Sequence, residues 1–188
     1  MTRRSFGGTT VLVTGAGGGL GRALALRFAA AGANIVALDK DAAGIDTLAA
    51  ELNRLGTACL ALPCDVTDAR ACSVAVAEAV QRFGALDVLV NNAGMSHRSG
   101  FAVTGLDVIR RVMDVNFFGA VNCTKAALPH LVERRGLVVV ISSVAGYTPL
   151  VARTGYAASK HALHGFFDSL RTELAPQGVD VMVACPSF

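Results

Sequence analysis

The chain has 188 residues, 53% of them hydrophobic and 16% charged, with a mean hydropathy of +0.50; that is enough for one domain with a proper core and too apolar for intrinsic disorder. The net charge of +3 is spread over short segments with no basic block, which argues against a nucleic-acid partner. Five cysteines, none in a C-x-x-C pair, argue against a metal site or disulfide framework and suit a reducing, cytoplasmic compartment.

From the amino end, residues 10–13 form a short β-branched run that leads into a glycine cluster. Residues 20–31 follow with helical spacing and end at Gly32, a good helix stop. Apolar runs at 34–38, 58–62 and 86–90 read as the second to fourth strands. Between them, 41–55 reads as a helix closed by Gly56. A second reads from the N-cap Asp68 to about Phe83, closed by Gly84. A polar loop, 91–100, leads to one long helical stretch over 106–134. Residues 137–141 are a fifth strand, 153–174 a helix and 179–184 a sixth strand. Strands apolar on both faces, alternating with helices, imply right-handed crossovers and a doubly wound parallel α/β sheet. No linker or composition shift divides residues 1–188, so a single domain is expected.

The run Thr14-Gly15-Ala16-Gly17-Gly18-Gly19-Leu20-Gly21 lies between the first strand and the first helix. Glycines there permit a tight turn and let backbone N–H groups approach a pyrophosphate at the helix amino end. Asp39 follows the second strand, 24 residues after Gly15, where a carboxylate would accept from ribose hydroxyls. A carboxylate would repel a 2′-phosphate, so NAD is expected over NADP, with Lys40 as a counterweight. Arg22 reads as surface.

Three motifs carry a resemblance. Thr14-Gly15-x-x-x-Gly19-x-Gly21, Asn91-Asn92-Ala93-Gly94 and Tyr156-Ala157-Ala158-Ser159-Lys160 occur in this order, with Ser143 13 residues and Asn116 40 residues before the tyrosine. This set resembles the short-chain dehydrogenase/reductase family, and spans most of the chain. The resemblance implies a Rossmann-type fold and an oxidoreductase that exchanges hydride between a nicotinamide cofactor and a secondary alcohol or ketone. It implies Asn116, Ser143, Tyr156 and Lys160 as catalytic. It implies Gly15, Gly18, Gly19, Leu20, Gly21, Asp39, Asp65, Val66, Asn92, Tyr156, Lys160 and Pro186 as cofactor-binding. Asp65 and Val66 would meet the adenine, and Asn92 would line the cleft. Ordinary alternatives are that Asp65 caps a turn and that Asn91 and Asn92 hold neighbouring strands together.

Tyr156 and Lys160, four apart on a helix, share a face. Bringing a phenol from ~10 to near neutrality takes about 4 kcal/mol. One positive charge at ~4 Å supplies that at an effective dielectric of ~20. By the resemblance, Lys160 also holds the nicotinamide ribose, Ser143 hydrogen-bonds the substrate oxygen and Asn116 holds a water linking Lys160 to solvent. His97 and Arg98 read as loop polar residues without a named partner. His130, His161 and His164 carry no metal-ligand spacing, and no metal is expected.

The resemblance also implies a homodimer or homotetramer through the two long helices. Family members usually continue past a sixth strand with a substrate lid and a seventh strand, and carry Gly after the proline where this chain has Ser187. The expectation is therefore a sheet lacking the final strand and lid, with the sixth strand as an exposed edge. The alternative function is a non-catalytic NAD-binding protein or an inactive fragment of a longer dehydrogenase. The uncharged runs 5–21 and 136–152 are broken by Gly, Ser and Thr and fall short of the ~20 apolar residues of a membrane span. The run Thr2-Arg3-Arg4-Ser5-Phe6 resembles a twin-arginine export signal. The apolar stretch behind it carries the loop glycines, and cleaving that stretch away would remove the first strand, so the arginines read as a solvated terminus.

Overall fold

The computed structural model describes residues 5–186; the paired arginines 3 and 4 and Ser187 lie outside the described residues. Six parallel strands form one sheet: β1 (Thr10–Thr14), β2 (Asn34–Asp39), β3 (Cys59–Pro63), β4 (Val88–Asn91), β5 (Leu137–Ile141) and β6 (Asp180–Ala184), in the order β3-β2-β1-β4-β5-β6. The expected doubly wound, Rossmann-type sheet is therefore present. Every sheet neighbour runs parallel, and β1 pairs on one side with β2 (Val11 opposite Ile35) and on the other with β4 (Val11 opposite Val88). The chain reverses its direction of travel across the sheet at β1 and β4, so the crevice above their carboxyl ends is where a ligand fits in such a sheet.

The alternation within each strand divides the core in two. Leu12, Val36, Leu38, Leu89, Val138 and Val140 face α3 (Ala69–Phe83), α5 (Gly119–Arg134) and α6 (Thr154–Leu174), with Phe167 at that layer's centre. Val11, Val13, Ile35, Ala37, Val88 and Val90 face α1 (Gly19–Ala30) and α2 (Ala42–Arg54), through Ala25, Ala29, Ile45, Leu48 and Leu52. Each large aliphatic side chain so buried contributes roughly 1.5–3 kcal/mol. On this second face, among the described residues, β6 is left uncovered, and Met182 is 48% exposed. Among the described residues, β6 is last in the sheet order.

One element differs from its expectation. Residues 106–134 are not a uniform helix but α4 (Leu106–Met113), a π-helical turn (Asp114–Phe118) and α5 in direct continuation. The backbone stays helical through Met113, Asp114, Phe118 and Gly119. The wide turn inserts one extra residue without breaking the axis, which apolar spacing does not register. Beside it, Gly119 has no room for a Cβ, because Val66 Cγ2 would lie 2.6 Å away. The glycine lets the helix close on the loop after β3.

A buried carboxylate joins the centre of the sheet. Asp87 accepts from the Thr10 N–H at 2.8 Å and from Arg134 Nε at 2.8 Å. It thereby satisfies the first amide of β1 and ties the end of α5 to the sheet.

Candidate active site

The crevice begins where β1 and β4 end. Thr14, the last residue of β1, accepts from the Asn92 and Ala93 N–H groups, both at 3.0 Å. In return, Asn92 Nδ2 donates to the Thr14 and Gly15 carbonyls at 3.0 and 3.2 Å. The expectation that Asn92 holds strands together and the expectation that it lines the cleft are met by the same side chain. Asn91, buried at the end of β4, ties that strand to α5 instead: its Nδ2 donates to Thr124 Oγ1 at 2.9 Å.

Two glycines make the loop possible. Gly15 has φ +67, and a Cβ on it would sit 2.9 Å from Ala93 Cα. A Cβ on Gly21 would overlap the Gly15 carbonyl oxygen, so the first turn of α1 packs directly on the loop. The helix start, capped at Gly18 by no side chain, leaves its first N–H groups free for an anion. Arg22, as expected, is not part of this: it forms an ion pair with Glu51.

A cleft of about 500 Å³ opens over this loop. Gly15, Gly18, Leu20, Gly21, Asp39, Asp65, Val66 and Asn92 all line it, together with Lys40, Cys64 and residues 93–95. Of the expected loop contacts only Gly19 is not among the lining residues. Asp39 is fixed at the end of β2, with one carboxylate oxygen accepting from Gly17 N–H at 2.9 Å and the other from Asp41 N–H at 3.0 Å. Asp65 accepts from the backbone N–H and hydroxyl of Thr67 at 2.9 and 2.8 Å, which holds its carboxyl below the usual range. It caps its own turn and faces the cleft at once. The Val66 carbonyl accepts from Asn122 Nδ2 at 3.0 Å, a support from 56 residues away that no local pattern announces.

A second cleft of about 340 Å³ is continuous with the first, sharing Leu20, Asn92, Gly94 and Met95. Ser143, Tyr156, Lys160 and Pro186 line it. Ser143 ends the extended chain after β5, and its Oγ accepts from Ala145 N–H at 3.2 Å. Its hydroxyl hydrogen is thereby left to donate elsewhere. Lys160 is 5% exposed; its Nζ donates to the Ile141 carbonyl at 2.8 Å and sits 5.6 Å from the Tyr156 ring centroid. Burial pushes its pKa down to about 8.

Asn116 differs from the rest. It lies in the π-helical turn, 2% exposed, behind the clefts rather than in them. Its Oδ1 accepts from Met95 N–H at 2.7 Å, and its Nδ2 donates to the Met95 carbonyl and Ser159 Oγ, both at 2.9 Å. Both amide hydrogens are spent, so the side chain clamps the cleft wall at Met95, and the expected water toward Lys160 would not be held by the amide hydrogens. His97 also differs, because it has a partner after all: its Nε2 accepts from Gly155 N–H at 3.1 Å. Arg98 is exposed. His164 Nε2 lies 2.9 Å from Ser142 Oγ, and no group of metal-binding side chains occurs among the described residues.

The buried ammonium has a measurable cost. Unfolded, the lysine keeps its proton up to about 10.5, whereas folded it releases it near 8. In that window the unfolded chain binds more protons, so stability rises with pH. Below it the burial costs about 3 kcal/mol. Wild type should gain about 2 kcal/mol relative to Lys160→Met between about pH 7 and about pH 10, read by urea unfolding. A difference independent of pH would mean that the lysine is solvated in the native state.

The site is thus a crevice at the reversal point of a doubly wound parallel α/β sheet, floored by a glycine loop and lined at its far end by Ser143, Tyr156 and Lys160. The short chain dehydrogenase family model matches residues 9–188. The chain is 44% identical over 185 residues to dehydrogenase/reductase SDR family member 7B of Bos taurus, covering 95% of this chain and 57% of that one. It is 40% identical over 189 residues to dehydrogenase/reductase SDR family member 7 of Homo sapiens, covering 94% and 54%. A crystal structure described as a short-chain alcohol dehydrogenase from Sinorhizobium meliloti superposes with a TM-score of 0.93 at 30% identity, over 98% of this chain and 75% of that one. The chain belongs to the short-chain dehydrogenase family. It spans little more than half the length of those curated relatives.

Proposed function

We propose that this chain binds a nicotinamide dinucleotide, NAD in preference to NADP, and interconverts a secondary alcohol and a ketone. The observation that carries this reading is the convergence of Ser143, Tyr156 and Lys160 on a cleft continuous with the glycine-loop cleft. The residues suit such a group. The absence of Cβ atoms at Gly15 and Gly21 brings backbone to the crevice, where the amino end of α1 favours phosphate. Asp39 would accept from the adenine ribose, Val66 and Asp65 would flank the adenine, and Asn92, Lys160 and Pro186 would hold the nicotinamide end. When bound, the group supplies the hydride donor or acceptor.

The chain's own residues do the rest. Tyr156 gives a proton to the ketone oxygen or takes one from the alcohol. Lys160, fixed by the Ile141 carbonyl, holds its ammonium over the phenol ring. Ser143 donates its free hydroxyl hydrogen to the substrate oxygen, where charge develops. Asn116 acts at one remove, by holding the Met95 peptide in the wall shared by both clefts.

Preference for NAD rests on Asp39. Two backbone N–H groups fix its carboxylate at the cleft, so it cannot swing clear of a 2′-phosphate. A ligand at about 100 times its Kd stabilises the fold by about 2.7 kcal/mol. A thermal-shift titration of this chain should therefore give a larger rise with NADH than with NADPH at equal concentration. Equal shifts would remove Asp39 as the selector. No shift with either would remove dinucleotide binding by this chain, and a shift without turnover on a panel of alcohols and ketones would favour a non-catalytic NAD-binding protein.

We further propose a homodimer or homotetramer through α5 and α6, supported by Phe118 and Phe166, which are 50% and 36% exposed beside Phe117. The proposed setting is the cytoplasm, supported by five free cysteines, two of which have sulfurs 3.5 Å apart and unbridged. No helix among the described residues is long and apolar enough to cross a membrane. Light scattering after size exclusion and cell fractionation check the two proposals; a monomer, or a membrane or secreted fraction, would refute them.

A further inference from the structure

Helix α6 carries both Tyr156 and Lys160, and its amino end is not capped by its own sequence. The N-cap residue is Arg153, which makes no side-chain cap hydrogen bond. A helix start leaves its first backbone N–H groups without intrahelical partners, and α6 begins at Thr154, only two residues before the tyrosine. The Gly155 N–H is one such orphan. Its acceptor is His97 Nε2, at 3.1 Å, from the loop after β4. We propose that His97 is a positioning residue for Tyr156: it caps α6 from across the crevice and so fixes the turn of helix that aims the phenol. The inference rests on the reading of Tyr156 as the proton carrier.

Three observations make the contact a built one. The first is the tautomer. Thr104 Oγ1 donates to the Gly100 carbonyl at 2.8 Å. With that hydrogen on a carbonyl, the Ser99 hydroxyl is able to donate to Thr104 Oγ1, at 2.7 Å. Ser99 Oγ is then an acceptor for His97 Nδ1–H, at 3.3 Å. A hydrogen on Nδ1 leaves Nε2 bare, and only a bare nitrogen can accept from Gly155. The Gly155 contact requires the form of the imidazole with a bare Nε2, and the chain of hydroxyls accommodates it.

The second is the approach. A Cβ on Gly155 would lie 3.1 Å from His97 Nε2 and 3.4 Å from Ile109 Cγ1. Glycine at the second helical position lets the ring and α4 close on the backbone. The third is that the contact is one of a set. Ser99 N–H donates to the Ala152 carbonyl at 3.0 Å, and Arg153 Nη1 donates to Ser96 Oγ at 2.8 Å. Ala152 holds φ +59, a left-handed conformation that a non-glycine residue keeps only where its surroundings over-determine it. Residues 96–99 therefore hold residues 152–155 at three points. Loss of the histidine acceptor frees the last of them, the one next to Tyr156.

The test uses His97→Leu, which removes the acceptor, and His97→Gln, whose side-chain oxygen can reach the same N–H. His97→Leu should lose about tenfold to a hundredfold in kcat, with KM for the dinucleotide unchanged, and His97→Gln should recover most of the loss. Imidazole ¹⁵N shifts should show His97 protonated on Nδ1 and bare on Nε2. The Gly155 amide should be protected from exchange in the parent and in His97→Gln but not in His97→Leu. The sequence has two tyrosines and no tryptophan. In a Tyr147→Phe background, one labelled tyrosine resonance then reports Tyr156 without any turnover. His97→Leu should shift or broaden that resonance, and His97→Gln should restore it. If the parent turns nothing over, the enzyme reading fails, and the resonance still decides whether His97 fixes Tyr156. An Nε2–H tautomer, an unprotected Gly155 amide in the parent, or a Tyr156 resonance and kcat indifferent to His97→Leu would overturn the proposal.

Discussion

Tyr156→Phe should reduce turnover by roughly 10²–10⁴-fold, the usual contribution of a positioned proton carrier, while leaving dinucleotide binding at the parent level. The separation of the two readouts follows from where the phenol stands. The residue lines the second cleft and not the first. Its backbone carbonyl, which accepts from Ser159 Oγ at 2.7 Å, is untouched by the change. The ring remains beneath Lys160 Nζ, so local packing survives. Steady-state kinetics on a ketone panel and a thermal-shift titration with NADH measure the two quantities on the same sample. Retained turnover would remove the phenol from the reaction and leave the serine hydroxyls that line the cleft, Ser96, Ser142 and Ser143.

The second large effect is expected at Gly21→Ala. The added methyl would overlap the Gly15 carbonyl and come within 2.5 Å of Asn92 Nδ2. Neither is the free end of a flexible side chain: one is backbone, and the other is the amide that stitches β4 to β1. Overpacking of this kind costs about 1–3 kcal/mol. Relief requires the loop to move off the helix, which displaces the N–H groups that would meet a pyrophosphate. NADH should no longer raise the melting temperature. Gly165→Ala is the matched control, since a Cβ there meets nothing within 4 Å; it should leave binding alone and stabilise the exposed helix by about 0.5–1 kcal/mol. Equal behaviour of the two alanines would show that the loop is more pliant than its contacts imply.

The sheet was legible because its four inner strands, β1, β2, β4 and β5, are buried on both faces and their apolar runs are nearly unbroken, while β3 and β6, at the edges, are apolar too. The glycine loop was legible because its constraints are local: Gly15 and Gly21 lie six residues apart. Boundaries were softer. Leu86 is fully buried but only leads into β4, which runs Val88–Asn91, a difference within the usual fraying of assignments. The support of the site was not legible, since it is made of contacts between distant residues. Asn116 meets Met95 across 21 positions and His97 meets Gly155 across 58. The sequence marked Asn116 by its distance from the tyrosine, but not that its amide is consumed by a backbone clamp. The π-helical turn that presents it adds one residue to a turn, and hydrophobic periodicity averages over so small a change. His97 and Arg98, alike in a sequence, part company only in space, one half-buried against a helix end and the other exposed.

The order of strands also has a consequence for how the molecule comes into being. The two strands at the centre of the sheet are far apart in the chain, and the contact between Thr10 and Asp87 spans 77 residues. The pairing of β1 with β2 closes a short crossover, whereas β1 with β4 must wait until the chain has been made as far as Val88–Asn91. Loop-closure entropy rises with that separation, and folding slows as such non-local pairings dominate. During synthesis β1 therefore carries one open edge until β4 arrives. The crevice above the pair is absent for the same interval, because half of its floor has not been made. A nucleotide cannot template the early chain; it can only trap the sheet after its middle has closed.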